Sequence, residues 1–270
     1  TSLPGQLELR PYLRTSRMDF LQHFLLGQPV ERNGQESAGV MTSFEWDLGR
    51  RVGLITGLDL EWADSFLVED QANPTTGGSP AANAIRPAGL HYDYTVTSNV
   101  AGAYAQLDYA LTTSLHAGAG VRVEYVGYRY DNRMLAGNTD ENGVPCLPAG
   151  CLYSRPADRS DSFTNAAPKF SLRWDAATGL MLYANASHGF RPPEMTELYR
   201  LQRNQSVAEL DSEQVDAYEI GLKFARGDWR GELAGFDMRK DNVILRESNG
   251  FYVSNGRTSR AKYCATHSRS

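Results

Sequence analysis

The chain has 270 residues, and its 27 lysines and arginines against 32 aspartates and glutamates give a formal net charge of -5. That balance, with no basic stripe, excludes a general nucleic-acid binder. No apolar run approaches about 18 residues, which excludes a transmembrane helix but leaves a membrane β-barrel open, since barrel strands are short and only alternately apolar.

Fourteen tyrosines, ten phenylalanines and 25 glycines suit strands and turns better than a helical bundle. The opening residues, TSLPGQLELR, show no charged head followed by an apolar segment, so no signal peptide is expected and the chain reads as if it began in mid-strand. From there the dominant signal is period two. A weak alternation puts Ala38, Val40, Thr42, Phe44 and Trp46 on one face of a predicted strand 38–47. After the tight turn LGRR, a strand over 52–62 sets Leu54, Thr56, Leu58, Leu60 and Trp62 against Gly53, Ile55, Gly57, Asp59 and Glu61. A long loop, about Ala63 to His91, leads to a strand over 92–109, where Ala101, Ala103, Ala105, Leu107 and Tyr109 oppose Gly102, Tyr104, Gln106 and Asp108. A short turn leads into 114–128, with Leu115, Ala117, Ala119, Val121, Val123 and Tyr125 opposite His116, Gly118, Gly120, Arg122 and Glu124.

A second long loop, about Arg129 to Ser162, holds Cys146 and Cys151 in a Pro/Gly-rich C-x4-C. Metal binding needs two further ligands at short spacing and none is near, so a small loop disulfide, and with it an oxidising compartment, is the favoured reading. Strands over 163–174 and 180–187 follow, joined by the short DAATG. The third long loop, Phe190 to Gln214, precedes a strand over 215–225 with Tyr218, Ile220, Leu222 and Phe224 opposite Glu219, Gly221 and Lys223. Arg226–Asp228 spells RGD, read as a hairpin turn rather than an adhesion signal, and strands over 229–240 and near 251–255 complete the series.

Short and long connections alternate along about ten strands. A Greek-key sandwich has no reason to keep that rule, whereas an up-and-down barrel gathers short turns at one rim and long loops at the other. Trp46, Trp62, Tyr109, Tyr125, Trp174 and Phe224 lie on apolar faces close to turns or loops, where an interfacial aromatic girdle places them.

The stretches ASHGFRPPEMTELYR and LDSEQVDAYEIGLKF then carry a resemblance. Gly189, Phe190, Arg191, Pro193, Glu197, Leu198 and Tyr199, followed by Leu210, Ser212, Glu213, Tyr218, Glu219 and Gly221, resemble the signature of TonB-dependent outer-membrane receptors. DWRGELAGFDMRKDNVI and YVSNGRTS, with Asn255 and Gly256, resemble the family's next strands more loosely. The close resemblance covers about Leu180 to Ser259, and the earlier strands match in style. The prolines, Pro192 and Pro193, lack the N–H that a ladder needs and end the strand at a rim.

The resemblance implies an all-β, antiparallel up-and-down transmembrane β-barrel of about 22 strands with a plugged lumen, of which this chain holds about ten. It implies a Gram-negative outer membrane, contact with its lipid, and uptake of an iron–siderophore complex or a similarly scarce ligand, energised by TonB through an N-terminal plug. It implies no catalytic residue, no cofactor and no nucleic-acid partner. Residues 1–260 are expected to be a partial barrel without the plug. The tail 261–270 lacks the family's alternation, and Cys264 within it is given no role.

Arg191, Tyr199, Arg200 and Arg203 are the candidate ligand-binding residues, the arginines forming a basic rim that draws in an anionic chelate. The competing reading pairs those arginines with Glu194, Glu197 and Glu209 as loop contacts. No metal site is expected, because His91, His116 and His188 are scattered. Ser187, His188 and Asp175 lack the G-x-S-x-G elbow of a hydrolase. The alternative function is a surface-exposed or secreted β-protein used for binding or structure without transport.

Overall fold

The computed structural model describes residues 4–203, 205–248, 250–255 and 259–269, with 255 and 259–269 as backbone only. In chain order the elements are β1 (Gly5–Leu21), β2 (Val30–Asp47), β3 (Val52–Gln71), α1 (Pro80–Ala84), β4 (Gly89–Ala110), β5 (Leu115–Asn132), β6 (Tyr153–Ser154), β7 (Arg159–Ala177) and β8 (Leu180–Arg191). There follow α2 (Met195–Tyr199), β9 (Leu201–Gln202), β10 (Glu213–Arg226), β11 (Trp229–Asp241), β12 (Val243–Arg246), β13 (Tyr252–Asn255) and β14 (Ser259–Arg269).

Ten strands form one sheet in the order β1-β2-β3-β4-β5-β7-β8-β10-β11-β14, each antiparallel to its neighbour. The sheet is a meander that does not close on itself, with β1 and β14 as its edges. Two small pairs, β6 with β9 and β12 with β13, lie outside it in the long connections. The connections alternate as the sequence predicts. Residues 48–51, 111–114, 178–179 and 227–228 turn at one end, and the long segments gather at the other. The RGD segment is a turn, with Gly227 at φ 61°.

The large sheet has two bands of opposite polarity. Near the short turns, the apolar residues of the alternation stay exposed: Leu58, Leu60, Phe170 and Ile220 are 59, 54, 60 and 68% accessible. Opposite them the face is polar and internally bonded, with Arg122 donating to Asp59 (2.5 Å) and Glu124 (2.7 Å), and Lys169 to Gln106 (2.7 Å). Trp62, Tyr109, Tyr125, Trp174 and Phe224 are exposed at the borders of the apolar face.

Beyond Trp62 and Tyr125 the arrangement inverts. The face that was polar now carries Leu67, Tyr94, Val96 and Tyr130, all buried under the long loops with Tyr153, Leu198, Tyr199 and Leu201. This explains one difference from the sequence reading. The strands do not end at Trp62 and Tyr128 but run on to Gln71 and Asn132, because the apolar pattern changes face where the strand leaves the belt while the backbone ladder continues. β3 and β4 have 20 and 22 residues, against about 9–11 needed to cross a bilayer at a tilt. The loops are correspondingly shorter than expected, at 72–88, 133–158 and 192–212.

A second difference lies at the C-terminal end. The strand expected near Phe251–Asn255 is present, but it pairs with β12 in a loop hairpin instead of joining the large sheet. The strand that joins the sheet beside β11 is β14, within the segment read as a tail. Gly256 lies outside the described residues.

Candidate functional site

At the rim, β8 ends at Arg191, and Pro192 and Pro193 leave no N–H for the ladder. Glu194 starts α2, its N–H donating to Glu197 Oε2 at 2.7 Å. Leu198 and Tyr199 are then driven inward, 1% and 0% exposed. Tyr199 stacks on Tyr130 with ring centroids 4.4 Å apart, and its hydroxyl donates to Asp161 Oδ2 at 2.8 Å.

Arg191 closes the motif. It donates from Nε to Glu213 Oε2 (2.8 Å) and from both terminal nitrogens to Glu197 (3.1 and 3.0 Å), with Glu194 at 3.4 Å. Glu213 also receives Lys240 Nζ (2.8 Å) and the Ile244 N–H (2.9 Å). Burial pushes its carboxyl up, but these donors outweigh it and hold Glu213 at about 2. The residues shared with the family signature thus tie β8, α2 and the start of β10 into one unit. Gly221 has a comparable role lower on the polar face. The Tyr183 ring lies across it, within 2.5 Å of where a Cβ would stand, and Tyr183 donates to Glu219 (2.7 Å) and Glu232 (3.1 Å).

Arg200 enters a second buried network. Its Nη1 lies 2.8 Å from Glu31 Oε2, and its Nη2 donates to Glu69. Gln22 Nε2 donates to both carboxylates at 3.0 Å, and His91 Nδ1 lies 2.9 Å from Glu69 Oε1. His91 reaches Glu69 because the register slips between Glu69 and Asp70, leaving His91 as the extra residue of a bulge beside Tyr92. It stacks on Tyr153 at 4.1 Å. Burial raises the Glu69 carboxyl, yet the His91 hydrogen bond and the Arg200 charge prevail and keep it below the ordinary carboxylate range. Burial likewise opposes the charge on Arg200, and Glu69 and Glu31 overcome it.

Above this network lies a cavity of about 440 Å³. Five segments converge on it: Phe24, Leu25, Leu26 and Pro29 from the first long connection, Gln71 and Arg86, Leu152 and Tyr153, Arg200 and Gln202, and Arg246 and Tyr252 from the hairpin. Its lining mixes aromatic and aliphatic side chains with polar and charged ones in equal number, a concave site with convergent polar groups of the kind that holds a small molecule. Gln71 is fully buried and donates from Nε2 to Asn73 O, Thr75 Oγ1 and Arg86 O, while its Oε1 and Arg200 Nε are buried without a hydrogen bond.

The expected site residues therefore divide. Arg191 and Tyr199 are held within the rim unit, and Arg200 touches the cavity while engaged by Glu31 and Glu69. Arg203 is exposed with φ 33° and has no carboxylate within ion-pair distance among the described residues. His91, His116 and His188 remain apart, His188 pairing with Asp216 at 2.8 Å. Among the described residues no three His, Cys, Asp or Glu side chains converge as a metal site. Arg86, Arg246, Tyr153 and Gln71 were not singled out by sequence. Gln71 ends β3 and the others lie in separate long connections without periodicity, and only the packing of those connections brings them together. The Cys146–Cys151 disulfide is formed, and it braces the loop that supplies Leu152 and Tyr153.

Comparison with known proteins bears on the whole sheet. The family described as "TonB dependent receptor-like, beta-barrel" matches residues 6–262. No curated protein matches in sequence. Among solved structures, the copper transporter OprC is similar at 15% identity and TM-score 0.70, over 96% of this chain and 40% of that one. The ferric yersiniabactin uptake receptor FyuA from Yersinia pestis is similar at 15% identity and TM-score 0.62, over 98% and 37%. The ferric citrate transporter FecA follows at 12% identity and TM-score 0.60, over 98% and 36%. At these identities the likeness speaks for the fold, and the chain spans well under half the length of each of those structures.

Proposed function

The chain belongs to the TonB-dependent receptor β-barrel family, and from that premise we propose that it is part of the wall of an outer-membrane receptor that imports a scarce ligand with energy delivered through TonB. Its place is the outer membrane of a Gram-negative bacterium. The exposed apolar band faces lipid, and the end carrying the long loops faces outward from the cell.

The observation that carries the reading is the cavity of about 440 Å³ into which the loops at that end converge. A wall serving only as structure has no need of a hollow lined by Arg86 and Arg246, neither of which has a carboxylate within ion-pair distance among the described residues. An iron–siderophore complex is the proposed cargo, supported by neighbours named for ferric yersiniabactin and ferric citrate, with copper transport as the competing cargo. TonB would act through a plug domain, and no covalent chemistry on the ligand is proposed.

The test is uptake of labelled iron, given as defined ferric chelates, and of copper by cells with and without the full-length receptor. One chelate should depend on the receptor and on the proton gradient, and filling the cavity with Leu26→Trp should abolish that uptake. Equal uptake of every chelate and of copper by cells lacking the receptor would overturn the reading.

A further inference from the structure

The cavity's charge is one-sided. Its two carboxylate neighbours, Glu31 and Glu69, are already engaged by Arg200, Gln22 and His91. Arg86 and Arg246 also line it, and among the described residues neither has a carboxylate within ion-pair distance. Arg86 donates only to the Ala82 carbonyl, at 2.5 Å, and Arg246 lies 5.8 Å above the Tyr252 ring. Arg203 stands close enough to add to this field. Its N–H donates to the carbonyl of the lining residue Leu152 at 2.8 Å, and its side chain is exposed. Beside these cations the lining combines apolar and aromatic side chains, among them Leu26, Tyr153 and Tyr252, with Gln22, Gln202 and the engaged Glu69.

We propose that this cavity takes an organic polyanion with an apolar or aromatic part, held by Arg86 and Arg246 and drawn in past Arg203, and that it rejects bare metal cations and disfavours neutral chelates. The inference rests on the reading of the cavity as the ligand site. Arginine suits the task because it stays charged when partly buried and offers several planar donors to carboxylate, phenolate or phosphate oxygens. A cupric ion finds no converging carboxylate, histidine or cysteine set here among the described residues.

Binding of three probes to the full-length receptor in detergent tests this. Iron(III) tris-catecholate is trianionic and aromatic, iron(III) tris-acetohydroxamate is neutral, and Cu²⁺ is a bare cation. The catecholate should bind at least tenfold more tightly than either, and more weakly as salt screens the arginines. Arg86→Ala and Arg246→Ala should each lower its affinity tenfold or more, and Arg86→Lys, which keeps the charge but not the planar donors, should recover only part of the loss. Arg191→Ala should leave the affinity within twofold. Folding of each variant is checked by the heat-dependent gel mobility of a closed barrel.

If the hydroxamate or Cu²⁺ binds as tightly and Leu26→Trp abolishes that binding, the cavity is the ligand site and the polyanion class is wrong. If catecholate binding survives both Leu26→Trp and Arg86→Ala, the cavity is not the site and both readings fall. A folded receptor that binds no catecholate also overturns the proposal.

Discussion

Arg191 and Arg200 show how far a side chain's neighbours decide its work. Each is an arginine at an outward-facing rim, yet each is taken up by two or more carboxylates of its own chain. For Arg191 the consequence is stability. Removing it leaves Glu213, whose side chain is 5% exposed, with Lys240 as its one remaining cation. Breaking a buried pair costs about 3–5 kcal/mol, less here because Arg191 itself is partly solvated, so Arg191→Ala should cost about 2 kcal/mol in denaturant unfolding of the receptor. The same contact sets an acid limit. Glu213 is held at about 2 when folded, below the ordinary carboxylate value of about 4.3. Its stabilisation is therefore fully present above the ordinary value and is lost as pH falls through that value toward 2. Unfolding midpoints measured between pH 6 and pH 2.5 should fall more steeply for the native sequence than for Glu213→Gln. Tyr199 offers a cleaner measurement. Tyr199→Phe keeps the stack on Tyr130 and loses only the bond to Asp161, so it should cost about 1 kcal/mol, whereas Tyr199→Ala should cost about 3–5 kcal/mol.

At the scale of elements, the loop 133–158 depends on a few contacts for its position over the cavity. Arg155 is 1% exposed and donates to the carbonyls of Leu135 (2.8 Å), His91 (3.1 Å), Thr139 (2.8 Å) and Asp140 (3.1 Å). Arg155→Met strips four carbonyl acceptors, that of His91 fully buried and the others part-buried, of a donor at once, and hydrogen exchange should speed across 133–158 while β4 and β5 keep their protection. Reducing Cys146–Cys151 should do less. The bridge spans a sequence separation of 5, for which the loop-entropy relation gives about 2 kcal/mol, confined to that loop. If exchange in the barrel strands rose as much as in the loop, the loop would be part of the wall's folding unit rather than a cover on it. Element by element, the sequence was readable where one physical rule held along the strand. Leu54 to Trp62 and Leu115 to Tyr125 alternate because lipid lies on one side and the polar lumen on the other. From Ala63 to Gln71 the same backbone continues, but Leu67 points under the loops and Asp64 into solvent, so the alternation vanishes while the strand does not. The rim motif was recognisable as a string, yet its residues brace the loop. The cavity was not legible, since Phe24, Arg86, Tyr153 and Arg246 share no periodicity and meet only after the loops fold.

At the scale of the whole molecule, the open sheet carries the strongest constraint. β1 pairs along 17 residues with β2 and β14 along 11 residues with β11, and among the described residues neither has a strand on its other side. A bilayer leaves no water to satisfy those bare N–H and C=O groups, and each costs several kcal/mol in hydrocarbon, so only closed barrels span. Water is no refuge either, because the band of Leu58, Leu60, Phe170 and Ile220 would face it. Bare edges and an apolar band together favour edge-to-edge association. The 270-residue segment made alone is therefore expected to form polydisperse oligomers by light scattering, in detergent and more so without it, and to lack a compact band that shifts on heating. The full-length receptor should give a monomer in detergent with such a band if, as proposed, further strands join β1 and β14 and satisfy both edges. A compact, heat-modifiable monomer from the segment alone would mean that the two edges find a closure absent from this fold, and the proposed place of the chain in a larger barrel would have to be given up.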